Sequence, residues 1–195
     1  MKPVKEVFGR AYPLGRDNVD TDIILPGRFL KTITRSGLAS AAFESIRAEP
    51  GNIFENPVWK GAPIVIAGQN FGCGSSREHA VWAMMDLGIL AVIAESYSDI
   101  FSGNAFKNGM VTITQPRHNI VRLLDWAQVG AIAISLLSQT ITFGDENVEF
   151  HVDPFRKECL LKGLDEIGLT LGFDADITAF EQDLSQRQPW IALPL

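Results

Sequence analysis

Residues 61–114 read "GAPIVIAGQNFGCGSSREHAVWAMMDLGILAVIAESYSDIFSGNAFKNGMVTIT", and the order of apolar runs and helical patterns in this stretch decides the fold. The continuous apolar run 62–67 is bounded by glycines and suits a strand buried on both faces. A helix is expected over about 76–87, because Ala80, Ala83, Met84 and Leu87 recur at helical spacing and Gly88 is placed to end it. A strand near 90–94, a helix near 97–106 and a strand at 110–114 complete a βαβαβ run. Parallel strands joined by crossover helices imply an α/β core with a mostly parallel sheet.

Outward from this run the patterns are shorter. A strand is expected around 4–10. Residues 16–37, "RDNVDTDIILPGRFLKTITRSG", are dense in turn formers and read as a loop holding a short strand at 23–25. Residues 38–49 read as a short helix and 117–130 as a longer one. The stretch "QTITFGDENVEFHV" reads as an antiparallel hairpin turning at 144–147, and "DPFRKECLLKGLDEIGLTL" as a helix ending near Gly163 followed by extended chain. No repeat or low-complexity tract separates folding units, so a single domain over 1–195 is expected.

Composition narrows the function. The chain has 195 residues, is 46% hydrophobic and 21% charged, and carries a formal net charge of −6. An acidic balance argues against a nucleic-acid backbone or an anionic membrane as partner. The start lacks the apolar core of a signal peptide, and no segment approaches the roughly 18 apolar residues of a membrane span, so a cytoplasmic protein is expected. Cys73 and Cys159 are the only cysteines, too few for a structural zinc site or an iron–sulfur cluster.

The loop 69–77 lies where an α/β sheet binds ligands, beyond the carboxyl end of a strand. Ser75 and Glu78 have the spacing of a capping box, which by itself would make Ser75 an N-cap accepting from the Glu78 N–H. Capping does not explain the residues around it. Gly72 and Gly74 would let backbone approach a ligand, and helix-start N–H groups attract anions. Arg77 is a cation at the wrong end of the helix dipole, a placement that suits a docked anion. No lysine follows the glycines as in a P-loop, and arginine stands where a dinucleotide fingerprint needs glycine or alanine. No G-x-S-x-G elbow is present either. A carboxylate is the anion left.

Three motifs together, "NFGCGSSREHA" at 70–80, "NVDTDIILPGRFLKT" at 18–32 and "CLLKGLDEIGLTL" at 159–171, resemble the small subunits of 3-isopropylmalate dehydratase, separate-chain equivalents of the swivelling β/β/α domain of aconitase. The resemblance covers nearly the whole chain. It implies a partner, a large subunit whose cysteines hold a 4Fe–4S cluster, and a dicarboxylate substrate interconverted between 2- and 3-isopropylmalate through isopropylmaleate. It implies that Ser75 handles the carbon-bound proton, that Ser76 assists by hydrogen bonding, and that Arg77 clamps a substrate carboxylate. Asp22 matches an aspartate that orients the serine or an arginine.

Residues 29–32, "FLKT", correspond to a substrate-discriminating loop that reads Tyr-Leu-Arg-Thr in archaeal relatives, so Phe29 and Lys31 depart while Leu30 and Thr32 are retained. Leu30 is expected to meet the isopropyl group, worth on the order of 1.5–3 kcal/mol. That preference admits relatives acting on citraconate, dimethylmaleate or homoaconitate, or a carboxylate-binding module without turnover. As a calcium site "DNVDTDIIL" lacks the required glycine and glutamate. His79 is expected to be packed or hydrogen-bonded, and Cys73 to be a small filler.

Overall fold

In the computed structural model, which describes residues 1–191, two four-stranded sheets share one apolar layer. The last four residues of the domain expected over 1–195 therefore lie outside the described residues. The chain runs β1 (Glu6–Gly9), β2 (Ala11–Pro13), α1 (Thr21–Ile24), α2 (Glu44–Arg47), β3 (Ile64–Ile66) and α3 (Glu78–Asp86). It continues through β4 (Ala91–Ala94), α4 (Asp99–Asn108), β5 (Val111–Thr114), α5 (Arg117–Ala127), β6 (Ile132–Ser135), β7 (Thr140–Phe143) and β8 (Glu146–Glu149). It ends in α6 (Pro154–Lys162), α7 (Glu166–Leu171) and α8 (Asp174–Arg187).

The expected βαβαβ run is present as β3–α3–β4–α4–β5, all parallel, and β2 extends the sheet to the order β2-β3-β4-β5. Side chains alternate across it as a pleated strand requires. Val65, Ala67, Val92 and Ala94 face α1 to α4, while Ile64, Ile66, Ala91 and Ile93 face α5 and the second sheet. Every residue of β3 and β4 is buried, which explains their unbroken apolar sequence. The layers are thus sheet, sheet and helices.

The antiparallel part is larger than a hairpin. β7 and β8 pair as expected, but β6 and β1 extend them into a sheet ordered β1-β6-β7-β8. The strand expected over 4–10 divides, β1 joining the antiparallel sheet and β2 the parallel one. The change of sheet occurs at Gly9, where a Cβ would lie 2.8 Å from the Pro63 ring.

Three local expectations are corrected. In place of a strand at 23–25, Ile23 and Ile24 end helix α1 and Leu25 is its extended C-cap, because the Asp20 carboxylate caps α1 by accepting from the Ile23 N–H at 2.7 Å. The helix expected over 38–49 shrinks to α2, since the buried Phe43 takes a left-handed conformation just before it. The chain after Gly163 is helical, not extended. Asp165 caps α7 by accepting from the Gly168 N–H at 2.8 Å, and its carboxylate also pairs with the N-terminal ammonium at 3.0 Å. Glycines at 163, 168 and 172 hide the helical period there. No described helix is long and apolar enough to cross a membrane.

Ile93 is fully buried between the two sheets. Ile93→Ala is expected to cost roughly 2–5 kcal/mol in urea unfolding, from lost burial and the cavity left behind. The exposed Val121→Ala should change stability by less than about 0.5 kcal/mol.

Candidate active site

Beyond the carboxyl ends of β2 and β3 the two emerging loops run side by side and bond through their backbones. Gly68 N–H donates to Arg16 O (2.9 Å), Asn18 N–H to Gln69 O (2.9 Å), Gly72 N–H to Val19 O (2.8 Å) and Thr21 N–H to Cys73 O (2.9 Å). Side chains reinforce the pairing, the Gln69 N–H donating to the Asp17 carboxylate (2.9 Å) and the Asn70 amide to the Asn18 side-chain oxygen (2.8 Å). The loop after β4 binds the other side, Phe71 N–H donating to Ser96 O and Ser98 N–H to Phe71 O, each at 3.0 Å. The segment 68–73 is therefore held between two neighbours.

This corrects the capping reading of Ser75. Helix α3 begins at Glu78, with Arg77 at the N-cap and no side-chain cap bond. The Thr21 contacts hold the loop on both sides of a bend at Gly74, the Thr21 N–H donating to the Cys73 carbonyl and its hydroxyl to the Ser75 carbonyl at 3.3 Å. Glu78 turns away from the cap and accepts from the Trp82 indole (3.3 Å) and the Asn108 amide (2.7 Å). Ser75 and Ser76 are exposed just ahead of a helix start that no side chain caps, so the α3 N–H groups face the same opening.

The two glycines differ. Gly74 is exposed at φ +93°, where the nearest atom to a Cβ would be the Thr21 hydroxyl at 3.4 Å, with Asp20 Cβ at 3.6 Å. Gly72 does not serve ligand approach as expected. It is buried with its N–H committed to Val19, and a Cβ would lie 2.2 Å from the Phe101 ring, so it is glycine for packing.

Arg77 meets Asp22 across the two loops through a guanidinium–carboxylate hydrogen bond. The Asp22 carboxylate also accepts from the Gly27 N–H at 3.2 Å. The Arg77 hydrogen bond, more than the backbone one, holds the Asp22 carboxyl below the usual carboxylate range. The pair is thus charged at neutral pH, and Asp22 fixes one edge of the guanidinium. The Arg77 side chain is only 20% exposed, which limits where it can swing.

The loop carrying Leu30, Lys31 and Thr32 follows a 3-10 turn over Gly27–Phe29. Leu30 is half-buried against the helical core, Lys31 is exposed, and the Thr32 hydroxyl lies 2.9 Å from the Thr34 hydroxyl in a local turn. His79 Nε2 lies 3.0 Å from the Thr32 carbonyl and so donates to it, while its ring packs on Trp82 at 4.5 Å. His79 is hydrogen-bonded as expected, and the partner it binds is the substrate loop. Thr21 escaped the sequence reading because a buried threonine beside two aspartates looks like part of a solvated turn; it is 2% exposed. The Cys73 thiol is pushed up by burial and by Asp20, away from the thiolate form.

Residues 1–118 match the aconitase C-terminal domain, and residues 166–193 match the C-terminal domain of the 3-isopropylmalate dehydratase small subunit. The chain is 56% identical to the 3-isopropylmalate dehydratase small subunit of Zymomonas mobilis over 98% of this chain and 100% of that one. It is 54% identical to that of Novosphingobium aromaticivorans over 98% and 96%. The crystal structure of a 3-isopropylmalate dehydratase from Methanocaldococcus jannaschii superposes with a TM-score of 0.68 at 28% identity, over 90% of this chain and 99% of that one. A β/β/α fold, a serine–arginine loop at the sheet's carboxyl edge and full-length relatives place this chain in the family of 3-isopropylmalate dehydratase small subunits, with the fold of the aconitase C-terminal domain.

Proposed function

We propose that this chain is the small subunit of a hydro-lyase that interconverts 2- and 3-isopropylmalate through isopropylmaleate, serving leucine biosynthesis in the cytoplasm. In this reading it acts as one swivel-type domain together with a large subunit. The observation that carries the proposal is the meeting of Arg77 and Asp22 beside the exposed Ser75 and Ser76, in a chain whose full-length relatives bear that enzyme's name.

In this reading Arg77 binds a substrate carboxylate through the guanidinium edge that Asp22 leaves free, which orients the reacting carbons. Ser75 removes the proton from the carbon next to the one bearing the hydroxyl, and on rehydration a proton is delivered to the carbon that lost the hydroxyl while water adds to the carbon that lost the proton. A serine hydroxyl is a poor base, so the site must favour its oxyanion. The uncapped start of α3 and the Arg77 charge supply positive potential for that purpose. Ser76 hydrogen-bonds the substrate, Leu30 packs against the isopropyl group, and Lys31 and Thr32 complete that wall. Gly74 leaves backbone open to the anion.

The chain's own thiols do not fit a cluster. Cys159 is buried in α6 and Cys73 is held toward the neutral thiol, so in this reading the thiolates are those of the large subunit. Bound there, a 4Fe–4S cluster would supply a Lewis acid for the leaving hydroxyl.

The test mixes the chain anaerobically with its cluster-loaded large subunit and follows isopropylmaleate absorbance, with citraconate and homoaconitate in parallel. Turnover that needs both chains and favours isopropylmalate supports the proposal; none on any substrate overturns it. Ser75→Ala should lower kcat by about 10²–10⁴-fold while complex formation is unchanged. Thr21→Val removes the hydroxyl that holds the Ser75 carbonyl, and kcat should fall about tenfold with little change in KM. Thr21→Ser should restore it, which a merely structural role for the methyl group would not allow. Leu30→Arg should shift the kcat/KM ratio toward tricarboxylates; an unchanged ratio would show that the loop is not the selector.

A further inference from the structure

The chain ends in a helical segment that its own core does not use. Neither α7 nor α8 contains a buried residue. Ile167, Leu171, Phe173 and Phe180 are each at least 60% exposed. Phe173, Ile177, Phe180 and Leu184 fall at i, i+4, i+7 and i+11, which is a single stripe along α8. Asp174 and Glu181 flank the stripe on one side, Asp176 and Asp183 on the other. A fourteen-residue helix is marginal in water without a surface to cover its apolar face.

We propose that α7 and α8 form a docking arm for the large subunit, their apolar stripe seated in an apolar groove rimmed by basic side chains. This rests on the reading of the chain as a small subunit. The arm is continuous with the candidate site, since Ile167 and Leu169 of α7 line a cleft of about 650 Å³ together with Arg35 and Glu78. Glu78 directly follows Arg77, and Arg35 closely follows the substrate loop. A large subunit that completes the site must approach this side of the molecule, so the arm lies along its path.

The matched regions agree with that occupant. The arm falls outside the match to the aconitase C-terminal domain and inside the match to the C-terminal domain of the small subunits. It is therefore a feature of chains that find their partner by association. A second copy is a poorer occupant, because antiparallel pairing of two α8 helices would set Asp174 and Asp176 against Asp183 and Glu181. Such like-charge pairs oppose association.

The test uses the full chain carrying Ile177→Glu and Phe180→Glu together, with circular dichroism and thermal unfolding to establish that the fold is kept. Affinity for the cluster-loaded large subunit is measured by calorimetric titration, and turnover is followed as the amount of that partner is raised. The expected result is a Kd raised about 100-fold with kcat restored at saturating partner, as for loss of interface anchors away from the chemistry. A Kd within about twofold of wild type overturns the proposal, and so does a loss of self-association by sedimentation with unchanged affinity for the large subunit. If the wild-type pair binds through the arm but turns over none of the substrates, the docking arm stands and the enzymatic reading falls. If the wild-type pair turns over and the variant binds equally well, only the docking arm falls.

Discussion

The structure depends on the backbone pairing of two loops, 16–21 and 68–73, beyond the strands they leave. Each bond contributes only about 1 kcal/mol net, but together they continue the β2–β3 register into what would otherwise be two floppy connections. A side chain at residue 68 would displace the Asp17 carboxylate, which lies 1.8 Å from where the Cβ would fall, and so break its bond from the Gln69 N–H. It also places Asp20 opposite Cys73 as an isolated parallel bridge. From that bridge Asp22 and Arg77 follow, two and four residues further along their respective loops.

The same constraint explains why the serines are not used for capping. A helix N-cap serine spends its oxygen on the helix; here Thr21 holds the loop at Cys73 and Ser75, and the helix starts late, at Glu78. The lost cap costs on the order of 1 kcal/mol, and it leaves both the serine hydroxyls and the first-turn N–H groups facing the opening. Burial and glycine geometry absorb the cost elsewhere. Gly72 lets Phe101 pack against the loop from beneath, where Phe101 also meets the Phe71 ring edge-on at 5.2 Å.

The loop carrying Leu30 is tied to the same helix through the His79 bond to the Thr32 carbonyl. What this chain presents is one wall of a site: charged and rigid at Arg77 and Asp22, half-apolar at Leu30, and open where the serines face out. An exposed serine in bulk water has no reason to give up its proton. A partner that covers it would exclude water and strengthen every interaction with the Arg77 charge. In the proposed reading, the exposure of this loop is what a second chain would cover.

The residues alone determined the parallel core, because strands buried on both faces carry unbroken apolar runs and the crossover helices a clean 3.6 period. They also drew attention to one short motif, since glycines, serines and an arginine at a helix start have few other uses together. Tertiary structure decided the rest. Whether 23–25 became strand or helix turned on one cap from Asp20, and whether 4–10 was one strand or two turned on a close approach to Pro63. The placement of Ser75 depended on Thr21, fifty-four positions away in sequence. Gly72 looked like a place for a ligand and proved to be a place for Phe101. Local pattern records which face of an element is apolar; it does not record which distant backbone group claims a given N–H or carbonyl, and at this site that claim sets the geometry.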